Sequence, residues 1–291
     1  MTREADMKVA ITGARGLFGH GLTEIFGAHH CVTDLGHQEA DITRPEELRA
    51  VFARIRPDVV IHSAAIPDLD FCAADPDRAF LVNVTGTRNV VDAAREVGTA
   101  VAYISTDAVF DGKKRTPYTE SDATLPPTVY GRTKLLAEGI VREAAEHWVF
   151  RVSVLFGPGK TNFVEKGLRK IAAGEEWIVA ADQLGSATYT LDAAGKIREV
   201  VEARRYGLYH LTNLGACTRL DLARRAAELA RVDAGKVIGK PAREMARRAV
   251  RLEYAVMEMR ALQQAGFAPP RPWQDALEEY IRTLQLPTRR E

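Results

Sequence analysis

Tyr130 and Lys134 stand four residues apart, a spacing that on a helix puts a phenol and an ammonium on one face. Upstream, Ser105-Thr106-Asp107 closes an apolar run. A free phenol titrates near pH ~10, too high to exchange protons readily at neutral pH. A neighbouring cation favours the phenolate and lowers that value. A hydroxyl, a phenol and an ammonium that converge make a proton-delivery device for carbonyl reduction. Tyr130 would give its proton to the carbonyl oxygen as hydride reaches carbon, Thr106 would hydrogen-bond the same oxygen, and Lys134 would tune Tyr130.

The hydride needs a carrier, and the start of the chain offers a place for one. Gly13-Ala14-Arg15-Gly16-Leu17-Phe18-Gly19 lies between a strand and a helix. There it aims free backbone N–H groups and a positive helix end at a pyrophosphate. Gly13, Arg15, Gly16, Leu17, Phe18 and Gly19 are therefore the expected dinucleotide loop. Asp34 ends the second strand, where a carboxylate accepts from the adenosine ribose and repels a 2′-phosphate. Arg15 could instead hold that phosphate, so the balance tips only slightly to NAD over NADP. Asp41 and Ile42, with Ala64, Ala65 and Ile66, occupy positions that flank the adenine and the pyrophosphate in such folds.

These residues need elements that bring them to one end of a sheet. Strands are expected over 7–12, 31–34, 58–63, 100–105 and 148–155, with helices over 17–26, 45–56, 76–98 and 128–146. Thr43 and Asp75 are the expected caps of the second and third helices. The alternation predicts an α/β fold, a Rossmann-type doubly wound parallel sheet with a smaller C-terminal substrate lobe. Residues 111–127, rich in turn formers, read as a loop. Beyond Gly157 the alternation weakens: helices are expected over 162–173, 192–202, 220–231 and 273–284, and a strand over 207–212. The expected division is a dinucleotide-binding domain over 1–156 and a substrate lobe over 157–291, with 192–212 returning to the first domain.

Composition narrows the function classes. Forty Lys and Arg against 39 Asp and Glu leave a net charge of +1, which argues against a nucleic-acid or membrane-surface partner. Cys31, Cys72 and Cys217 are far apart, and the start MTREAD lacks an apolar leader, so a reducing cytoplasm is expected. The histidines lack metal-ligand spacing, so no metal is expected. The basic run Arg243, Arg247, Arg248 and Arg251 could neutralise a nucleotide diphosphate or form a solvated helix face.

Taken together, the motifs resemble the extended short-chain dehydrogenases, and within them the dTDP-4-dehydrorhamnose reductase family. The clearest stretches are Asp41-Ile42-Thr43-Arg44-Pro45, Asn83-Val84-Thr85-Gly86-Thr87, Ser105-Thr106-Asp107-Ala108-Val109-Phe110 and Val129-Tyr130-Gly131-Arg132-Thr133-Lys134. The resemblance implies Thr106, Tyr130 and Lys134 as the catalytic trio, with Asn83 supporting the site. Asn83, Ser105, Tyr130 and Lys134 then join the cofactor-binding set, and Thr106, Asp107, Val154, Asn162 and Arg251 the substrate-binding set. The implied reaction is NAD(P)H-dependent reduction of the 4-keto group of a nucleotide-linked deoxysugar, dTDP-4-dehydrorhamnose to dTDP-rhamnose; a homodimer is the candidate assembly. Three positions depart from the family's pattern: Ala108 and Val154 stand where aromatics are usual, and the segment from Arg251 to Met257 lacks the usual proline and serine. Ala108 also removes the second carboxylate that a sugar dehydratase needs. Two other readings stay open: a related dehydrogenase acting on another sugar, and a dinucleotide-binding regulatory protein resembling the methionine adenosyltransferase β subunit.

Overall fold

Runs of β-branched and small apolar residues build the central sheet of the computed structural model, which describes residues 6–285. β1 (Lys8–Thr12) buries every residue but the first; α1 (Leu17–Gly27) leads from it to β2 (Cys31–Leu35). After α2 (Pro45–Ile55), β3 (Val59–His62) is buried throughout, as strands covered on both faces are. Three short helices follow: α3 (Leu69–Ala74), α4 (Pro76–Phe80) and α5 (Gly86–Glu96). β4 (Ala100–Thr106), α6 (Val129–Val141) and β5 (His147–Val152) complete the first half.

The sheet is parallel, and its strand order places β4, β3, β1 and β2 side by side. Successive residues of β1 serve opposite faces. Val9 and Ile11 pack with Leu22 of α1, whereas Ala10 packs with Phe52 of α2 and Val91 of α5. The chain adds β2 on one side of β1 and then β3 on the other, and in open α/β sheets ligands bind where the strand order switches in this way, outside the carboxyl ends of the strands.

The second half begins with β6 (Leu155–Phe156), α7 (Phe163–Ala172), β7 (Trp177–Ala180), β8 (Leu184–Ser186) and β9 (Thr188–Tyr189). α8 (Thr190–Glu202) then packs on α1, and β10 (Gly207–His210) pairs with β5 as the sixth strand of the main sheet. β11 (Ala216–Thr218), α9 (Arg219–Leu229), β12 (Val237–Lys240), β13 (Tyr254–Ala255), α10 (Arg260–Gln264) and α11 (Trp273–Thr283) follow. The short strands pair among themselves: β8 between β11 and β13, β7 with β12, and β6 with β9. A separate core, with Phe156, Leu168, Trp177, Leu222 and Leu277, lies under them.

Several expected boundaries move. The helix expected over 76–98 is interrupted by a π-helical turn, Leu81–Thr85, with Asn83 at its centre. α3 was not expected; Asp68 caps it, accepting from the Asp70 and Phe71 amides at 2.9 Å. Asp75 caps α4 by accepting from Arg78 N. Thr43 does not cap α2: the N-cap is Arg44, and the Thr43 hydroxyl donates to Asp41 Oδ1 at 2.8 Å. α6 stops at Val141, and beyond it Glu143 turns out to meet Arg88. The polar start, residues 1–5, lies outside the described residues.

Candidate active site

A cavity of about 390 Å³ opens where β1, β2 and β3 end. Gly13 turns with φ +69°, and a Cβ there would sit 2.7 Å from the Ala64 backbone, so only glycine lets the loops after β1 and β3 touch. α1 begins at Gly16 with no side-chain cap, which leaves its first amides free to meet an anion. Gly13, Arg15 and Gly16 line the cavity from one side. Asp41 and Ile42 line another, and Ala64, Ala65 and Ile66 a third.

The other expected dinucleotide residues lie elsewhere. Leu17 and Phe18 open α1, with Phe18 only 4% exposed in the core. Gly19 lets α1 press on the Gly13 carbonyl, a packing role. Asp34 is not the last residue of β2; it is exposed, lies off the cavity wall and accepts from the Thr23 hydroxyl at 2.7 Å. Asn83 acts at one remove. Its Oδ1 accepts from Ile66 N at 2.8 Å, and its Nδ2 donates to the Ile66 carbonyl and to Thr133 Oγ1, tying the β3 loop to α6. The Ser105 hydroxyl turns into the protein and donates to Glu138 at 2.5 Å, where Arg151 also binds. His37, Arg78 and Lys160, not singled out from sequence, give this cavity a basic rim.

A second cavity, about 400 Å³, lies at the ends of β4 and β5. Thr106 reaches it from the end of β4, Asp107 from the turn that follows, Tyr130 from α6, and Val154 from beyond β5; Ala108 is also on its wall. Thr128 caps α6, accepting from Gly131 N at 3.0 Å, and so fixes the turn that carries Tyr130. Thr106 donates to Asp107 Oδ1 at 2.9 Å, and Ser153 donates to Asp107 Oδ2 at 2.5 Å. Burial pushes the Asp107 carboxyl up, and these two hydroxyls draw it part of the way back.

The expected effect of Lys134 on Tyr130 is not what the geometry produces. Burial raises the Tyr130 phenol above its ordinary value, and the Thr106 hydroxyl moderates the rise. Lys134 does not line the cavity; its ammonium donates to the Ile104 carbonyl at 2.6 Å, and burial draws it down to about 7. The pair share a helix face, but a buried phenol loses more by desolvation than a cation engaged elsewhere returns.

Two expected sugar contacts are also redirected. Asn162 caps α7, accepting from Val164 N at 3.0 Å, and its Nδ2 donates to Gly157 O and the Tyr280 hydroxyl, so the amide has no free end. Arg251 lines the cavity, but its guanidinium is paired with both oxygens of Asp70 on α3. Sequence reading missed Arg219. It stands at the first position of α9 and lines the cavity. Its guanidinium packs 5.3 Å from the Phe163 ring centroid and forms no ion pair within 4 Å among the described residues. The signal was there: Thr218 and Asp221 form a capping box, and a cation directly inside it opposes the helix dipole. Arg247 lies on the same cavity wall, donating to Gln183 at 3.1 Å. Among the described residues no group of three His, Cys, Asp or Glu could hold a metal ion, and no helix is long and apolar enough to cross a membrane.

Comparison with known proteins gives the same picture. The dTDP-4-dehydrorhamnose reductase of Streptomyces griseus is 36% identical over 282 residues, covering 94% of this chain and 93% of the relative. The spore coat polysaccharide biosynthesis protein SpsK of Bacillus subtilis is 33% identical, covering 94% and 97%. The crystal structure of dTDP-4-dehydrorhamnose reductase from Bacillus anthracis in complex with NADP superposes with a TM-score of 0.92 at 31% identity, covering 96% of this chain and all of that one. The family model described as RmlD substrate binding domain matches residues 7–286. The chain belongs to this family, and with it to the dTDP-4-dehydrorhamnose reductases that its motifs resemble.

Proposed function

We propose that the protein reduces the 4-keto group of a nucleotide-linked 6-deoxyhexose, with dTDP-4-dehydrorhamnose as substrate and dTDP-rhamnose as product. The observation that carries this reading is that Thr106 and Tyr130 share one cavity with Arg219 and Arg247. A carbonyl can meet a hydroxyl and a phenol there, while a diphosphate meets guanidinium groups. A nicotinamide dinucleotide supplies the hydride when bound, and the Gly13 turn with the uncapped start of α1 fits its pyrophosphate. Tyr130, held above its ordinary value, keeps its proton at neutral pH and releases it only as the carbonyl oxygen gains negative charge. The Thr106 hydroxyl, turning its proton from Asp107, donates to the same oxygen, and the products are a secondary alcohol and an oxidised cofactor. Incubation with dTDP-4-keto-6-deoxy sugars should oxidise the reduced cofactor. Absence of turnover alongside tight dinucleotide binding would replace this reading with a regulatory one.

Cofactor choice follows from the loop. The case for NADH lay in Asp34, which faces Thr23 instead. Arg15 and His37 remain on the cavity wall, although Arg15 is also held by Glu39 and Gln38. On this basis NADPH binds at least as tightly as NADH, and a tenfold preference for NADH in a fluorescence titration would refute it. We also read the chain as a homodimer. Phe71, Phe80, Leu81 and Leu136 expose apolar side chains on neighbouring elements, and sedimentation of the wild type against Leu136→Glu tests whether that face joins two copies.

We further propose the division into a dinucleotide-binding domain (1–156, with 192–212) and a substrate lobe. The separate core under the short strands supports it.

A further inference from the structure

Lys134 is seated on an aromatic ring. Its Nζ lies 4.1 Å from the centroid of Tyr103 and donates to the carbonyl of Ile104, the next residue of the same strand. Tyr103 is 1% exposed and Lys134 3%, so water does not compete for the ammonium. A ring face attracts a cation more strongly when both are desolvated. The Tyr103 hydroxyl takes no part. It lies beside Thr87, whose hydroxyl already serves His62 and the Asn83 carbonyl, and makes no well-formed hydrogen bond.

We propose that the Tyr103 ring is a positioning residue for Lys134, its π face seating the ammonium and keeping it charged inside the protein while its hydroxyl is dispensable. The effect on turnover rests on the function proposed above; the seat itself does not.

The other groups around this lysine are fixed by their own partners. Burial lowers Lys134, and Glu138, one turn along α6, raises it. Glu138 is itself tied to Arg151 of β5 and Ser105 of β4. His62 of β3 is kept neutral by burial. Asp107, beyond β4, is bound by Ser153, and Cys72 of α3 keeps its thiol proton because burial raises it to about 11. Arg88 of α5 pairs with Glu143 at the surface. Tyr130 faces Thr106. Changing only the electrons of the Tyr103 ring therefore leaves each of these in place.

The experiment compares the full-length wild type, Tyr103→Phe, and the protein carrying 3,4,5-trifluorophenylalanine at position 103. The last keeps a flat ring, with fluorine in place of the hydroxyl and of its two neighbouring hydrogens, and cancels the attraction of its face. NMR titration of ε-carbon-labelled lysine reads the protonation of Lys134, whose signal is identified by its loss in Lys134→Met. The Phe variant should titrate with the wild type. The fluorinated protein should titrate lower by roughly 0.5–1.5 pH units, the span from an exposed to a desolvated cation–π contact. The alkaline limb of kcat/KM should move with it. Equal midpoints in all three proteins would overturn the proposal, as would a Phe variant that falls with the fluorinated one. If the wild type turns over no keto sugar, the function proposed above fails, while the titration still decides the seat.

Discussion

A proton donor must hold its proton until the oxygen opposite it becomes basic, and burial gives Tyr130 that property. Tyr130→Phe should lower kcat by about 10²–10⁴-fold, the usual scale of general-acid help, and leave dinucleotide Kd unchanged. Near-normal kcat in the variant would remove the phenol from the mechanism. Arg219, which forms no ion pair within 4 Å among the described residues although Asp107 acts on it at longer range, is the guanidinium best placed to meet a diphosphate. Arg219→Gln should raise KM for the nucleotide sugar by about 10–100-fold, as expected for loss of a charged hydrogen bond, and an unchanged KM would exclude it. Tyr130 and Thr106 were legible because spacing on a helix and position at a strand end suffice to place them. Ser105 and Asp34 were not. Neighbouring strand residues leave the sheet on opposite faces, so an end misjudged by one residue puts Ser105 against the core and Asp34 against Thr23 at the surface.

Among the elements, the long alternating ones were legible and the short ones were not. β1, α1 and β4 declare themselves by period and punctuation. A six-residue α3, or strands of two to four residues such as β6 and β7, carry too few positions for any period to show. The π-helical turn was invisible for a different reason. One added residue per turn leaves composition unchanged, yet it brings Asn83 between the Ile66 loop and α6. α7 supplies a test of element against site. Asn162→Ala removes its cap and the partner of Tyr280, and should cost about 1–3 kcal/mol of stability. KM for the nucleotide sugar should stay within about twofold, because loss of a cap and a buried hydrogen bond acts on folding and not on the ligand. A large rise in KM at unchanged stability would return Asn162 to the sugar site.

Across the whole molecule, the doubly covered sheet was legible from the alternation of elements, and so was the return of a late strand to it; which residues form the second core was not. Its parts, from Phe156 to Leu277, are joined by segments that serve the main sheet. Two buried histidines set the acid limit of the fold. His62 and His210 are both lowered to about 3 by burial, so each folds neutral. Their contribution is fully present above the unfolded value near ~6.5 and is lost as pH falls toward the folded value. Between pH ~6.5 and ~4.5 each should cost roughly 2–3 kcal/mol, opposed over the carboxylate range by Asp107, which burial pushes up. Urea unfolding of His210→Gln should lose less stability over that interval than the wild type, and parallel curves would exclude His210 as a source. The pairing of β10 with β5 has a consequence for synthesis. His147–Val152 leaves the ribosome with one edge unpaired, and the strand that covers it arrives roughly 55 residues later. At about 5–20 residues per second, an apolar edge carrying Trp148, Val149 and Phe150 stays open for several seconds, which is when a nascent chain is most exposed to aggregation. A chain stopped at residue 200 should therefore collect in the insoluble fraction, and its recovery as a soluble monomer would show that the edge protects itself.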